Sequence, residues 1–129
     1  VAAAREPLVH HELCFGCGRA NLFGLMAELA RTAPGEVAGR CFIKQDHQGA
    51  DRGTAHDGVL AAALCEAMAL AAGPDARLTG VEVSFEGPAP VGVFLELGVR
   101  LDDAGLRATA TASAEGNPVA SATGTLTRR

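Results

Sequence analysis

Tryptophan and tyrosine are absent from this chain, and five phenylalanines are its only aromatic residues. A core built without large rings has to be filled by alanine, valine and leucine. Basic clusters are missing too. Eleven Lys and Arg are scattered among fifteen Asp and Glu, the formal charge is −4, and only Arg128 and Arg129 stand together; this argues against nucleic acid as a partner. No run is fit to cross a bilayer, because the longest apolar stretch, 58–72, is short and alanine-rich. No secretory signal is visible in "VAAAREPLVHHEL", where Arg5 and Glu6 interrupt any apolar segment. Four cysteines without such a signal point to free thiols in a reducing compartment, so a cytoplasmic protein with no membrane contact is expected. Repeats, linkers and low-complexity tracts are lacking as well. One domain over 1–129 is expected, long enough for a core but short for a pocket closed by a single subunit.

What is present has a clear order. Residues 1–24 mix His, Cys, Gly and Asn irregularly and read as a leader loop with room for one short helix. "LMAELAR" (25–31) and "EVAGRCFIK" (36–44) flank a Pro-Gly turn and read as a β-hairpin. A polar, glycine-rich loop follows. The spacing then predicts a central helix over 58–73, in which Glu66 is the single charge and Gly73-Pro74 the stop. A helix apolar on every face is a buried one. Four strand-like runs come after it, at 80–87, 92–101, 106–114 and 118–127, separated by turns. The order ββ-α-ββββ predicts an α+β fold in which a curled antiparallel sheet wraps one long buried helix. The edges of so small a sheet favour self-association to a dimer or tetramer.

Several residues stand out as chemistry. Asp57, just before the helix, is a preferred type for an N-cap. Cys65 lies in an apolar helix with no cation nearby in sequence, where burial raises a thiol pKa and favours an inert core role over a nucleophile. Glu66 cannot be buried alone: it must be paired, neutralised, or directed at a pocket or subunit boundary. It sits about 100° round the helix from Cys65, so the two do not face one tunnel squarely. His47 and His56 flank the glycine-rich loop and can either orient a base or hold loop carbonyls. In the leader, His10, His11, Cys14 and Cys17 offer four zinc-type ligands. Adjacent histidines rarely reach one ion together and no second C-x-x-C follows, so the stretch is read as an ordered loop and no metal is expected.

Three segments in this order carry a resemblance. "CFGCGRANLFGL" (14–25), "HQGADRGTAHDGVLAAALCEAM" (47–68) and "VEVSFEGPAPVG" (81–92) resemble the motifs of hotdog-fold thioesterases of the PaaI-like acyl-CoA type, and together they span nearly the whole chain. The resemblance implies an acyl-CoA hydrolase that needs no cofactor beyond the coenzyme A thioester it consumes, with acyl-carrier protein as the alternative carrier. It also implies subunits paired so that acyl tunnels form between them. Amides after the motif histidine polarise the thioester carbonyl, and a carboxylate two turns on serves as nucleophile or base. The matching positions place Gly58, His47, Gln48 and Gly49 around substrate and His56, Asp57 and Cys65 at the chemistry; Glu66 matches the residue after the usual catalytic one and is a candidate base through its burial. The chain departs from the pattern at two of them: the usual His-Gly-Gly reads His56-Asp57-Gly58, and the usual catalytic Asp reads Cys65. The altered acid/base set leaves a non-hydrolytic acyl-thioester-binding or scaffolding protein as the alternative, with a hydratase or dehydratase behind it.

Overall fold

The Pro34-Gly35 turn closes a hairpin between β1 (Glu28–Ala33) and β2 (Glu36–Phe42), with Gly35 at φ +73°, a value that favours glycine. A computed structural model of the chain describes residues 6–129, so the first five residues of the expected leader lie outside the described residues. After a 3₁₀ turn at Gln45–His47 comes α1 (Asp57–Ala72), then β3 (Ala76–Phe85), β4 (Phe94–Leu101), β5 (Arg107–Ala114) and β6 (Asn117–Arg128). All strands pair antiparallel in one sheet, ordered β1-β2-β4-β5-β6-β3. The α+β arrangement of one sheet curled round one helix is the one expected. No helix among the described residues is long and apolar enough to cross a membrane, and the described part of the leader, 6–24, holds turns rather than a helix.

Period-two alternation fixes which face of the sheet meets α1. Leu95, Leu97 and Val99 of β4 are buried, and β5 contributes Ala108, Ala110, Ala112 and Ala114. A floor of single methyl groups lets the helix lie close. At Gly124 of β6 even a methyl is too much: a Cβ there would come within 2.8 Å of Met68 Sδ and of Leu78 Cδ1. Leu60, Leu64 and Met68 then fill the space between helix and sheet.

Two boundaries differ from expectation. β3 starts at Ala76, before the expected residue 80, because β6 runs to Arg128 and templates the extra pairs from Ala76↔Arg128 onward. The helix spans 57–72 rather than 58–73, since His56 rather than Asp57 caps its start. The helix is also not covered on every side. Val59, Ala62, Cys65, Glu66 and Ala69 form a half-exposed stripe, and the free edge strand β3 leaves Val81 and Phe85 45% and 48% exposed.

Candidate active site

The loop before α1 is a built scaffold. His47 is buried; its Nδ1 accepts from the Lys44 amide at 3.0 Å, so the neutral ring carries its proton on Nε2, which meets no acceptor among the described residues. Burial lowers the His47 pKa, partly opposed by Asp46. Its carbonyl accepts from the His56 amide at 2.8 Å, tying the two histidines together through the backbone. Gln48 is spent inside the loop: Oε1 accepts from the Gly53 amide at 2.6 Å and Nε2 donates to the Gln45 carbonyl at 2.8 Å. Gly49 is needed where the loop doubles back, since a Cβ there would sit 2.7 Å from His56 Cα.

At the helix start the N-cap is His56, in extended conformation, whose Nδ1 accepts from the Gly58 amide at 2.8 Å. The expectation that Asp57 is the cap is therefore corrected. An imidazole two residues upstream reaches the Gly58 amide, and Asp57 becomes the first helical residue. The Gly58 amide is thus occupied by a neighbour, whereas the Asp57 amide has no protein acceptor among the described residues. An open cleft of about 510 Å³ runs past this point, lined by Thr54, His56, Asp57, Phe85 and Pro88 among others. Neither Cys65 nor Glu66 lines it. Cys65 is half-buried, and its thiol is pushed up in pKa first by burial and then by Glu66 beside it, the reverse of what a nucleophile requires.

Glu66 has gone elsewhere. Its Oε2 lies 2.9 Å from His10 Nδ1 and accepts from the Cys14 thiol at 3.5 Å. Gly16 makes room for it, because a Cβ there would overlap the Glu66 side chain. Cys17 is fully buried beside them, and burial, followed by Glu66, pushes its thiol up to about 12. Among the described residues the ligand atoms of His10, Cys14, Cys17 and Glu66 all lie within 4.8 Å of one another, a set able to hold a metal ion. Of the four leader residues with zinc-type side chains, His11 lies outside this set, its Nδ1 accepting from the Leu13 amide at 3.2 Å, and Glu66 takes the fourth place. The spacing of the leader residues was visible in sequence, and Glu66 stood out as a charge needing a partner; nothing local linked it to Cys14, 52 residues before it.

The arrangement of helix, sheet and loop has counterparts among solved structures. The phenylacetic acid degradation protein PaaI from Thermus thermophilus, in a single-residue mutant form, is 31% identical, with 81% of this chain and 95% of that chain covered at a TM-score of 0.69. The chain belongs to the PaaI-like family of hotdog-fold proteins. A phenylacetic acid degradation-related protein from Ralstonia eutropha shares this hotdog fold at 22% identity, covering 79% of this chain and 84% of that one at a TM-score of 0.71. So does a hypothetical thioesterase from Streptococcus pneumoniae, solved with coenzyme A, at 16% identity, 80% and 85% coverage and a TM-score of 0.72. No family model matches the sequence, and no curated protein matches it either.

Proposed function

We propose that the chain hydrolyses acyl thioesters carried on coenzyme A, with Asp57 as general base. The observation that carries this reading is the placement of Asp57: of the two carboxylates that line the cleft, Asp51 in the loop and Asp57 in α1, it is the one at the helix start, while Glu66 is engaged by His10. In the reaction a water oxygen bonds to the thioester carbon as Asp57 takes the water proton. The carbonyl π pair moves onto oxygen, and that oxyanion is met by the positive end of α1 and the free Asp57 amide. Collapse breaks the C–S bond, and the departing sulfur recovers the proton from Asp57, leaving acid and thiol. His56 limits the site by holding the Gly58 amide, and it adds a second oxyanion donor only when its ring swings away. Support for coenzyme A as carrier comes from the ligand of the Streptococcus pneumoniae neighbour. The test is loss of thioester absorbance across short, long and aryl acyl-CoAs, with acyl-carrier protein thioesters in parallel. Turnover of one class above the uncatalysed rate supports the reading, and none in any class refutes it.

The bound Gly58 amide and the missing carboxylate at 65 favour one second reading, a hotdog protein that binds acyl thioesters without cleaving them. It separates from the first by acyl-CoA affinity without turnover.

Both readings include self-association. The half-exposed stripe of α1 and the free edge of β3 with Val81 and Phe85 are apolar surfaces that a second copy would cover. Light scattering at micromolar concentration should give a multiple of the 13.1 kDa chain mass. A mass of one chain contradicts this. Position 65 supplies a further check: Cys65→Ala should keep most of the activity, and intact-mass spectra during turnover should show no acyl adduct on Cys65.

A further inference from the structure

From the convergence of His10, Cys14, Cys17 and Glu66 we infer a structural Zn²⁺ site that pins the leader loop to the middle of α1. A single hydrogen bond at His10 does not account for the atoms crowded around its ring. His10 Nδ1 lies 2.9 Å from Glu66 Oε2, 3.5 Å from Cys17 Sγ and 3.6 Å from Cys14 Sγ. One ring nitrogen, with one lone pair or one proton, cannot bond to all three. Four donor atoms gathered around a common point are instead what a cation at that point would organise. Three of the pair distances match directly, a fourth is close, and the remaining two lie within 4.8 Å. A tetrahedral Zn²⁺ with Zn–S of about 2.3 Å and Zn–N or Zn–O of about 2.0 Å holds its ligand atoms roughly 3.3–3.8 Å apart. Cys14 Sγ to Glu66 Oε2, at 3.5 Å, falls in that range with both sulfur–nitrogen pairs, and the nitrogen–oxygen pair needs to open by only a few tenths of an ångström.

The surroundings are those of a metal loop. Cys14 and Cys17 have C-x-x-C spacing, the Gly18 amide donates to the Cys14 carbonyl at 2.9 Å, and the His10 amide donates to Cys17 Sγ at 3.2 Å. Amide-to-sulfur bonds of this kind support thiolate ligands from outside the first coordination sphere. Glycine is required at 18, and at 16 it leaves Glu66 its present place. A Cβ at 16 would overlap Glu66, and one at 18 would come within 2.6 Å of the Cys14 amide nitrogen. Two thiolates, an imidazole and a carboxylate suit zinc among the common divalent ions. The protein fills all four positions, which makes the site closed and structural. Binding displaces two thiol protons and changes no oxidation state.

The experiment is a Co²⁺ titration of the reduced, chelator-stripped full chain, followed by Zn²⁺ competition and metal analysis. One tetrahedral Co²⁺ per chain is expected, with thiolate charge-transfer bands that Zn²⁺ abolishes, and a Zn²⁺ dissociation constant of the order of 10⁻⁹ M or tighter. Cys14→Ser, Cys17→Ser and the near-isosteric Glu66→Gln should each weaken binding by roughly 10²-fold or more, beyond what loss of an outer-shell partner costs, while Cys65→Ala leaves it unchanged. Circular dichroism identifies any variant that fails to fold, and Glu66→Gln carries the test if Cys17→Ser does. Uptake no tighter than micromolar by the reduced parent chain, or uptake unaffected by Glu66→Gln, overturns the proposal. Because the readout is metal bound and not thioester cleaved, it stands apart from the hydrolase reading.

Discussion

Asp57→Asn should lower the rate of thioester hydrolysis by about 10²-fold or more, the usual loss when a general base is removed. The fold should be untouched, because the Asp57 side chain is exposed and makes no hydrogen bond or ion pair in the described structure. The contrast that gives the experiment its force is Glu66→Gln. That change breaks the 2.9 Å pairing with His10 on the leader side of the helix and leaves the cleft lining intact. It should therefore keep the rate within a few-fold of the parent's and lower the melting temperature instead. Steady-state kinetics on both variants, with thermal melts beside them, decide between the two acids. A large rate loss in Glu66→Gln with a fully active Asp57→Asn would transfer the role of base to Glu66.

Leu64→Ala should cost about 3–5 kcal/mol of stability, the upper part of the range for buried leucines. Leu64 has no exposed surface and sits at the middle of α1. The size of a cavity penalty depends on whether neighbours can move in. Here α1 packs on β3, β4, β5 and β6, and the β5 face of that core is alanine only, which limits how far the neighbours can close the gap. A fall in melting temperature of roughly 10 °C or more is expected for a chain of this size, measured at fixed protein concentration because association contributes to stability. A loss below about 1 kcal/mol would mean that the helix is loosely held in the sheet.

Those two residues also mark how far the sequence could be read. The helix and the alternating strands were legible because burial imposes periods of 3.6 and 2, and Gly73-Pro74 ends α1 where expected. The first pairs of β3 were not, since Ala76 to Thr79 become strand only because β6 extends beside them. At the helix start, residue type favoured Asp57 as cap, and the decision went to the His56 ring because its Nδ1 reaches the Gly58 amide first. In the leader the histidine and cysteine spacing was on view, but the fourth member was sought next door at His11. It was supplied from α1, a neighbour that only the folded chain creates. The structure treats the residues at 57 and 65 unevenly. It gives the carboxylate at 57 a cleft, and it gives Cys65 only a place in the half-exposed stripe.

The most direct measurement is a crystal structure of the chain with a non-hydrolysable thioether analogue of an acyl-CoA. The acyl carbonyl is predicted to lie within hydrogen-bond distance of the first-turn amides of α1, with the Asp57 carboxylate holding a water against the carbonyl carbon. An analogue whose carbonyl sits instead beside Cys65 and Glu66, more than one water away from Asp57, would contradict Asp57 as the base.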